Sequence, residues 1–315
     1  MLDVFLTTLV AILPVFLIIF IGTALSRLGF FPEEVRSGIV RLVFYVGTPA
    51  LIIRQVGAAD LRSAFEGKFI LFVVGIILLE VLLMWALCFF IRDPKKKGAV
   101  IQIGFRSNFA IVGMPLAERL LSTEGVARTA ITLSFTILVY NVMAVIVLSY
   151  YGGSDRRLKP VLLGILKNPL IWGVLIGLLI TLTPIPMESG QVHFEILKTL
   201  GYLASSAGLL VIGSSISLRG FLSDRGLILY SVLLRCLVAP AFVLGAAILL
   251  GFRGDALPTL AIMSATPAAV NCYVMAKKMG VDAGITAFGV SLTTVCSLFS
   301  VFLSIFLLRA TGLAG

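Results

Sequence analysis

The sequence predicts an all-α polytopic membrane protein: ten transmembrane helices arranged as two inverted five-helix repeats. Three observations carry that expectation. The 315 residues are 59% hydrophobic and 13% charged, with a mean hydropathy of +1.12, whereas soluble domains carry about 25% charged residues. The apolar residues come in continuous runs without strand-like alternation, which favours helices over barrel strands. A polar segment at 151–168 divides those runs into five and five, and an odd number per half forces the second half to be inverted. Composition excludes a water-soluble enzyme, a disordered chain and a nucleic-acid binder. Spans of about 20 residues each leave no room for a sizeable extramembrane domain.

The runs, in order, cover 5–25, 39–53, 69–91, 99–121 and 126–150, then 170–186, 196–216, 227–252, 256–279 and 285–309. The first follows Asp3 and no basic residue, so it reads as a retained span and not as a cleavable leader, which wants a basic start. Breaks are punctuated by Phe31-Pro32, Asp93-Pro94-Lys95, Gly152-Gly153, Asn168-Pro169 and Arg253-Gly254-Asp255. Asn168-Pro169 pairs a capping side chain with proline in the first turn, a good helix start. The expected units are a first repeat over 1–150, a cytoplasmic linker over 151–168 and a second repeat over 169–315.

Charge sets the orientation. Of 25 Lys and Arg residues, fifteen fall on one side, including Lys95, Lys96, Lys97, Arg156 and Arg157, and eight on the other. The positive-inside rule puts the richer side in the cytoplasm and both termini outside the cell membrane. The remaining two, Arg106 and Arg235, lie inside spans. Glu80 is the one carboxylate deep in a span, and depth counted at 1.5 Å per residue puts it level with Arg235 to within about 2 Å. An unpaired charge there is costly, so a Glu80–Arg235 ion pair is expected, with proton coupling through Glu80 as the sharper reading.

Two spans are interrupted at matching places. The fourth holds Asn108 through Pro115 and the ninth Thr266 through Asn271, and paired interruptions of this kind point to a midplane binding site. Pro115 and Pro267 read as helix breakers, and Gly113 as a point of close backbone approach. Asn108 and Asn271 can donate and accept, so each either contacts substrate or repairs freed backbone groups. Ser107 and Thr266 sit beside them. Arg106 either attracts an anion from the cytoplasmic side or snorkels to that interface. Tyr140 and Asn141, in the middle of the fifth span, either line the same cavity or bond neighbouring helices.

Catalytic and metal chemistry find no footing. Cys88, Cys236, Cys272 and Cys296 lie within apolar runs without ligand spacing and read as buried hydrophobes. His193 is the single histidine, in a short outward loop, so Gly213-Ser214-Ser215 has no base to activate a serine. There is no H-E-x-x-H and no P-loop. No enzyme, cofactor or metal is expected, and no drive by ATP within this chain.

Three motifs carry a resemblance that spans the chain: Arg41 through Leu51, Asn108 through Pro115, and Pro267 through Asn271 continuing to Val274, Ala276 and Gly280-Val281. In these the sequence resembles the auxin efflux carrier family, which includes bacterial organic-acid carriers and plant auxin exporters. The resemblance implies that the unwound fourth and ninth helices cross at the substrate site. It also implies a homodimer, with a scaffold of spans 1, 2, 6 and 7 beside a transport domain of spans 3–5 and 8–10. Two departures stand out. Ser107 occupies a position that is proline in the plant exporters. Residues 265–276 contain no carboxylate, whereas the related bile-acid symporters place sodium ligands around the crossing, so backbone carbonyls are left as candidate ligands there. The expected function is secondary transport of small organic anions, carboxylates of auxin-like or dicarboxylate type, by elevator-type alternating access. The rival is an anion channel or channel-like receptor on the same fold. The expected partners are the anion, the lipid bilayer and a second copy of the chain, with no nucleic acid.

Overall fold

The computed structural model describes residues 2–58, 66–152, 169–183, 185–215 and 224–314. Apart from Tyr151 and Gly152, the linker expected at 151–168 lies outside the described residues, as does Asn168. The described chain is helical, and its one piece of β geometry is an isolated antiparallel bridge between Ser107 and Ala268.

In the first half, α1 (Leu2–Arg27) is followed by α2 (Glu33–Leu42) and α3 (Thr48–Gly57), which join through a wide turn at Val43–Gly47. Next come α4 (Gly67–Leu87), α5 (Pro94–Phe105), a second wide turn at Phe109–Gly113, α6 (Met114–Leu120) and α7 (Thr123–Gly152). The second half holds α8 (Pro169–Thr181), α9 (Val192–Ser214), α10 (Arg225–Leu233), a third wide turn at Leu234–Val238 and α11 (Ala239–Leu249). It ends with α12 (Ala256–Ala265), α13 (Asn271–Met279) and α14 (Ala283–Ala310). Seven stretches among the described residues are long and apolar enough to cross a membrane. The chain is therefore a multi-pass membrane protein. Segments α5, α6, α8, α12 and α13 are shorter.

Local chemistry explains the boundaries. The Asp93 carboxylate accepts from the backbone N–H groups of Lys95 and Lys96, with Pro94 opening α5. Ser122 Oγ accepts from Gly125 N at the start of α7, and Asp282 Oδ1 from Ile285 N at the start of α14. The fifth and tenth runs thus begin on equivalent caps. Each of the three wide π turns is followed two residues later by proline: Pro49, Pro115 and Pro240. Proline lacks a donor and its ring collides with the carbonyl one turn back; widening that turn relieves both. Sequence pattern put a helix break near Pro115. In the structure Pro115 lies in the first turn of α6, and the break falls seven residues or more before it, at residues 106–108.

Packing separates a centre from a periphery. Every residue of α5 from Gly98 to Phe105 is buried, as is every residue of α12. A helix apolar on all sides belongs in a core. The longer helices keep large exposed apolar side chains, among them Leu71, Leu82, Phe299 and Leu307, as lipid contact demands. Helix α1 packs along α9, and α8 along α3. The first of these contacts is backbone-close: a methyl group at Gly22 would strike the Leu210 carbonyl, and one at Gly213 the Ile19 carbonyl.

Candidate functional site

The interrupted fourth and ninth runs meet in the buried centre. Helix α5 stops at Phe105 and α12 at Ala265, and the next residues of each turn extended: Arg106 has ψ 98° and Thr266 ψ 155°. These extended pieces pair in antiparallel fashion. Asn108 N donates to Pro267 O at 2.7 Å, and Ala269 N donates to Arg106 O at 3.0 Å. The intervening Ala268 N donates to Thr293 Oγ1 of α14 at 3.2 Å. Backbone groups released by the breaks thus find partners in each other, which a lone break facing lipid could not supply.

The half-helix ends are held from one side by Arg235. Its guanidinium and Glu80 are both 0% exposed, with Nη1 3.4 Å from Oε1. Nη1 also donates to the Gly104 and Phe105 carbonyls, each at 3.1 Å, at the end of α5. Nη2 donates to Met263 O at 3.3 Å and to Ser264 O, and Nε donates to Thr266 O at 3.0 Å, all at the end of α12. One guanidinium therefore closes the C-termini of both half-helices. Those ends carry orphan carbonyls and partial negative charge, so a cation suits them on both counts.

The other side of the crossing is polar and less fully paired. Asn108 is 5% exposed, and its side-chain nitrogen has no hydrogen-bond partner. The Thr266 hydroxyl is buried without a partner as well. Ser107 Oγ donates to the Tyr140 hydroxyl at 3.4 Å. Arg106 is 4% exposed, so it does not snorkel; its Nη2 donates to Asn141 Oδ1 at 2.6 Å and its Nη1 meets the Met275 sulfur. Gly113 abuts the Phe109 ring and Ile262, where a Cβ would lie 2.5 Å and 3.2 Å from their nearest carbons. Asn271 opens α13 and is exposed, four residues after Pro267.

Arg106, Ser107, Asn108, Thr266, Pro267, Tyr140 and Asn141 are thus joined by direct contacts, while Gly113 packs just beyond and Asn271 stands at the rim. Sequence reasoning paired Arg235 with Glu80 by depth. It missed the five carbonyl contacts, whose signal is the small-residue ends Gly104 and Ser264, which let backbone come close. Among the described residues no cluster of His, Cys, Asp or Glu could hold a metal ion.

Comparison with known proteins finds transporters matching nearly the whole chain. A family model described as membrane transport protein matches residues 7–305. A protein of Methanothermobacter thermautotrophicus named "Uncharacterized transporter" is 24% identical over 311 residues, covering 94% of this chain and 97% of its own. One of Rhizobium meliloti named "Putative malonate transporter" is 24% identical over 314 residues, covering 96% of each.

Proposed function

The chain belongs to this membrane transport family, the auxin efflux carrier family, and on that premise we propose that it is a secondary transporter of small organic anions. Carboxylates are the substrate class, with malonate a fitting probe because a similar protein bears that name. The observation that carries the reading is the unpartnered Asn108 amide, buried where two broken helices meet. An amide N–H in low dielectric costs energy unless a partner reaches it, and a carboxylate oxygen is a strong one. Helical backbone resumes after Asn108 and at Asn271, and those two starts add partial positive charge beside the amide. Arg106 contributes a buried positive charge two residues before Asn108. Asn108, Asn271, Ser107 and Thr266 are assigned to the anion, with Tyr140 and Asn141 placing Ser107 and Arg106.

In this reading ten spans form two inverted repeats, over 1–150 and 169–315, and the crossing moves with α4–α7 and α10–α14 against a scaffold of α1–α3, α8 and α9. Packing bears on the division: α9 lies along both α1 and α3, and α8 along α3, while α5 packs on α7 and α12 on α14; α1 also meets α14 across it. The protein works as a homodimer in the cell membrane with both termini outside. Purified protein in liposomes, offered malonate and a panel of small carboxylates, tests the reading. Saturable uptake with counterflow is expected. Flux that never saturates would make the protein a channel, and no carboxylate flux at all would end the proposal.

A further inference from the structure

We infer that Arg235 is a resident cation of the crossing, tethered to the chain, so that transport proceeds without a bound sodium ion there. The inference rests on the transporter reading for its activity test, and on geometry for its substance. Five carbonyl oxygens, those of Gly104, Phe105, Met263, Ser264 and Thr266, converge on one guanidinium. They come from the ends of two half-helices, where oxygen dipoles add rather than cancel. Carbonyl clusters at unwound helices are suited to holding a metal cation. Here the cluster is filled by a side chain whose charge is permanent and whose planar fork reaches several oxygens at once. Glu80 completes the shell as the counter-charge, 3.4 Å from Nη1.

The position of Arg235 in its own helix agrees. It is the second residue of the wide turn Leu234–Val238, ahead of Pro240, and this local widening replaces regular helix at the level of the crossing. The guanidinium therefore does two things: it holds the two half-helix ends together, and it supplies the positive charge that a coupling ion would otherwise bring. A cation that is part of the chain adds no ion to the transport stoichiometry.

The test removes the tether and returns the cation free. Wild-type protein in liposomes should take up labelled malonate equally well when sodium is replaced by N-methylglucamine. Arg235→Ala should lose uptake by about tenfold or more, the scale of several charge-assisted hydrogen bonds. Millimolar guanidinium should restore much of that uptake and raise the melting midpoint of the purified variant, while doing neither to wild type. A sodium requirement in wild-type uptake would overturn the inference. So would normal uptake by the alanine variant without added cation, or a folded variant that guanidinium changes in neither uptake nor melting. Should the alanine variant not fold, Arg235→Lys retains a tethered cation and is expected to stay active and sodium-independent; sodium dependence in it counts against the inference. Absence of any carboxylate uptake by wild type would instead fail the transporter reading, and the melting response to guanidinium would still decide the cation's place.

Discussion

The two sides of the crossing solve opposite problems. On the C-terminal side of the half-helices, each donor of Arg235 meets an acceptor, and the carbonyls of α5 and α12 are closed by a charge of the right sign. Away from the guanidinium, the Asn108 side-chain nitrogen and the Thr266 hydroxyl are buried without partners, whereas on the arginine side Glu80 Oε2 alone of the pair's polar atoms lacks one. Buried polar groups are as a rule satisfied, and an exception calls for a reason. The arginine side, saturated but for that one carboxylate oxygen, fixes the geometry; the unsaturated side, held rigid by it, is where an exchangeable partner gains most. Pre-organisation of this kind lets substrate binding avoid the cost of ordering the site.

The largest effect should come from breaking the saturated side. Arg235→Met leaves Glu80 as an unpaired buried carboxylate and strips five carbonyls, so a loss of about 3–5 kcal/mol is expected. Glu80→Gln should cost less, because the guanidinium keeps its backbone acceptors. Thermal unfolding in detergent measures both, and the double variant should fall short of the sum of the singles. Strict additivity would mean that the pair does not act as a unit.

A middle-sized effect is expected where the crossing packs. Gly113→Ala places a methyl against the Phe109 ring and Ile262. Overpacking of a tight core costs about 1–3 kcal/mol. Uptake should fall with stability, since Phe109 follows directly on Asn108. A variant as stable as wild type would show that this approach is looser than the geometry says.

On the unsaturated side, stability and function should part company. Asn108→Leu keeps the volume and deletes an amide whose nitrogen has no partner, so stability should change by less than about 1 kcal/mol. Saturable uptake should vanish all the same. Asn271→Leu should behave likewise, and the double change should be no worse than either single one. Near-normal uptake by a folded leucine variant would remove that asparagine from the site.

Different physics made different parts of this molecule legible. Broken helices announce themselves because Asn and Pro are poor tenants of an apolar span, and Glu80 and Arg235 because an unpaired charge in lipid is costly. Depth arithmetic could pair the two charges, which are 155 residues apart. It could not see the carbonyls, since those become neighbours only after two half-helices from different halves of the chain have met. Arg106 shows the same limit: its choice of Asn141 depends on how α7 lies beside α5. The three wide turns were unforeseen, although each precedes a proline, because proline reports a lost donor and not how the helix absorbs the loss.

The smallest effect lies outside the crossing, at the start of α5, and it separates ordinary surface pairing from the buried pair. Lys96 Nζ is 2.6 Å from Asp224 Oδ1 in front of α10, with about a third of the lysine side chain exposed. The hydrogen bond to Asp224, and then the charges of Asp224, Asp282 and Asp93, push the Lys96 ammonium above its ordinary value of 10.5. A raised lysine contributes stability that is fully present below the unfolded-state value and lost as pH climbs through the folded one. Asp224→Asn should therefore lower the melting midpoint slightly at neutral pH, and the gap from wild type should close only above about 10.5. Salt should shrink the same gap, because exposed pairs are screened. The Glu80–Arg235 pair, sealed from solvent, should show no such salt response. If salt weakens both pairs equally, the crossing is open to water on its arginine side, and the contrast between its two sides fails.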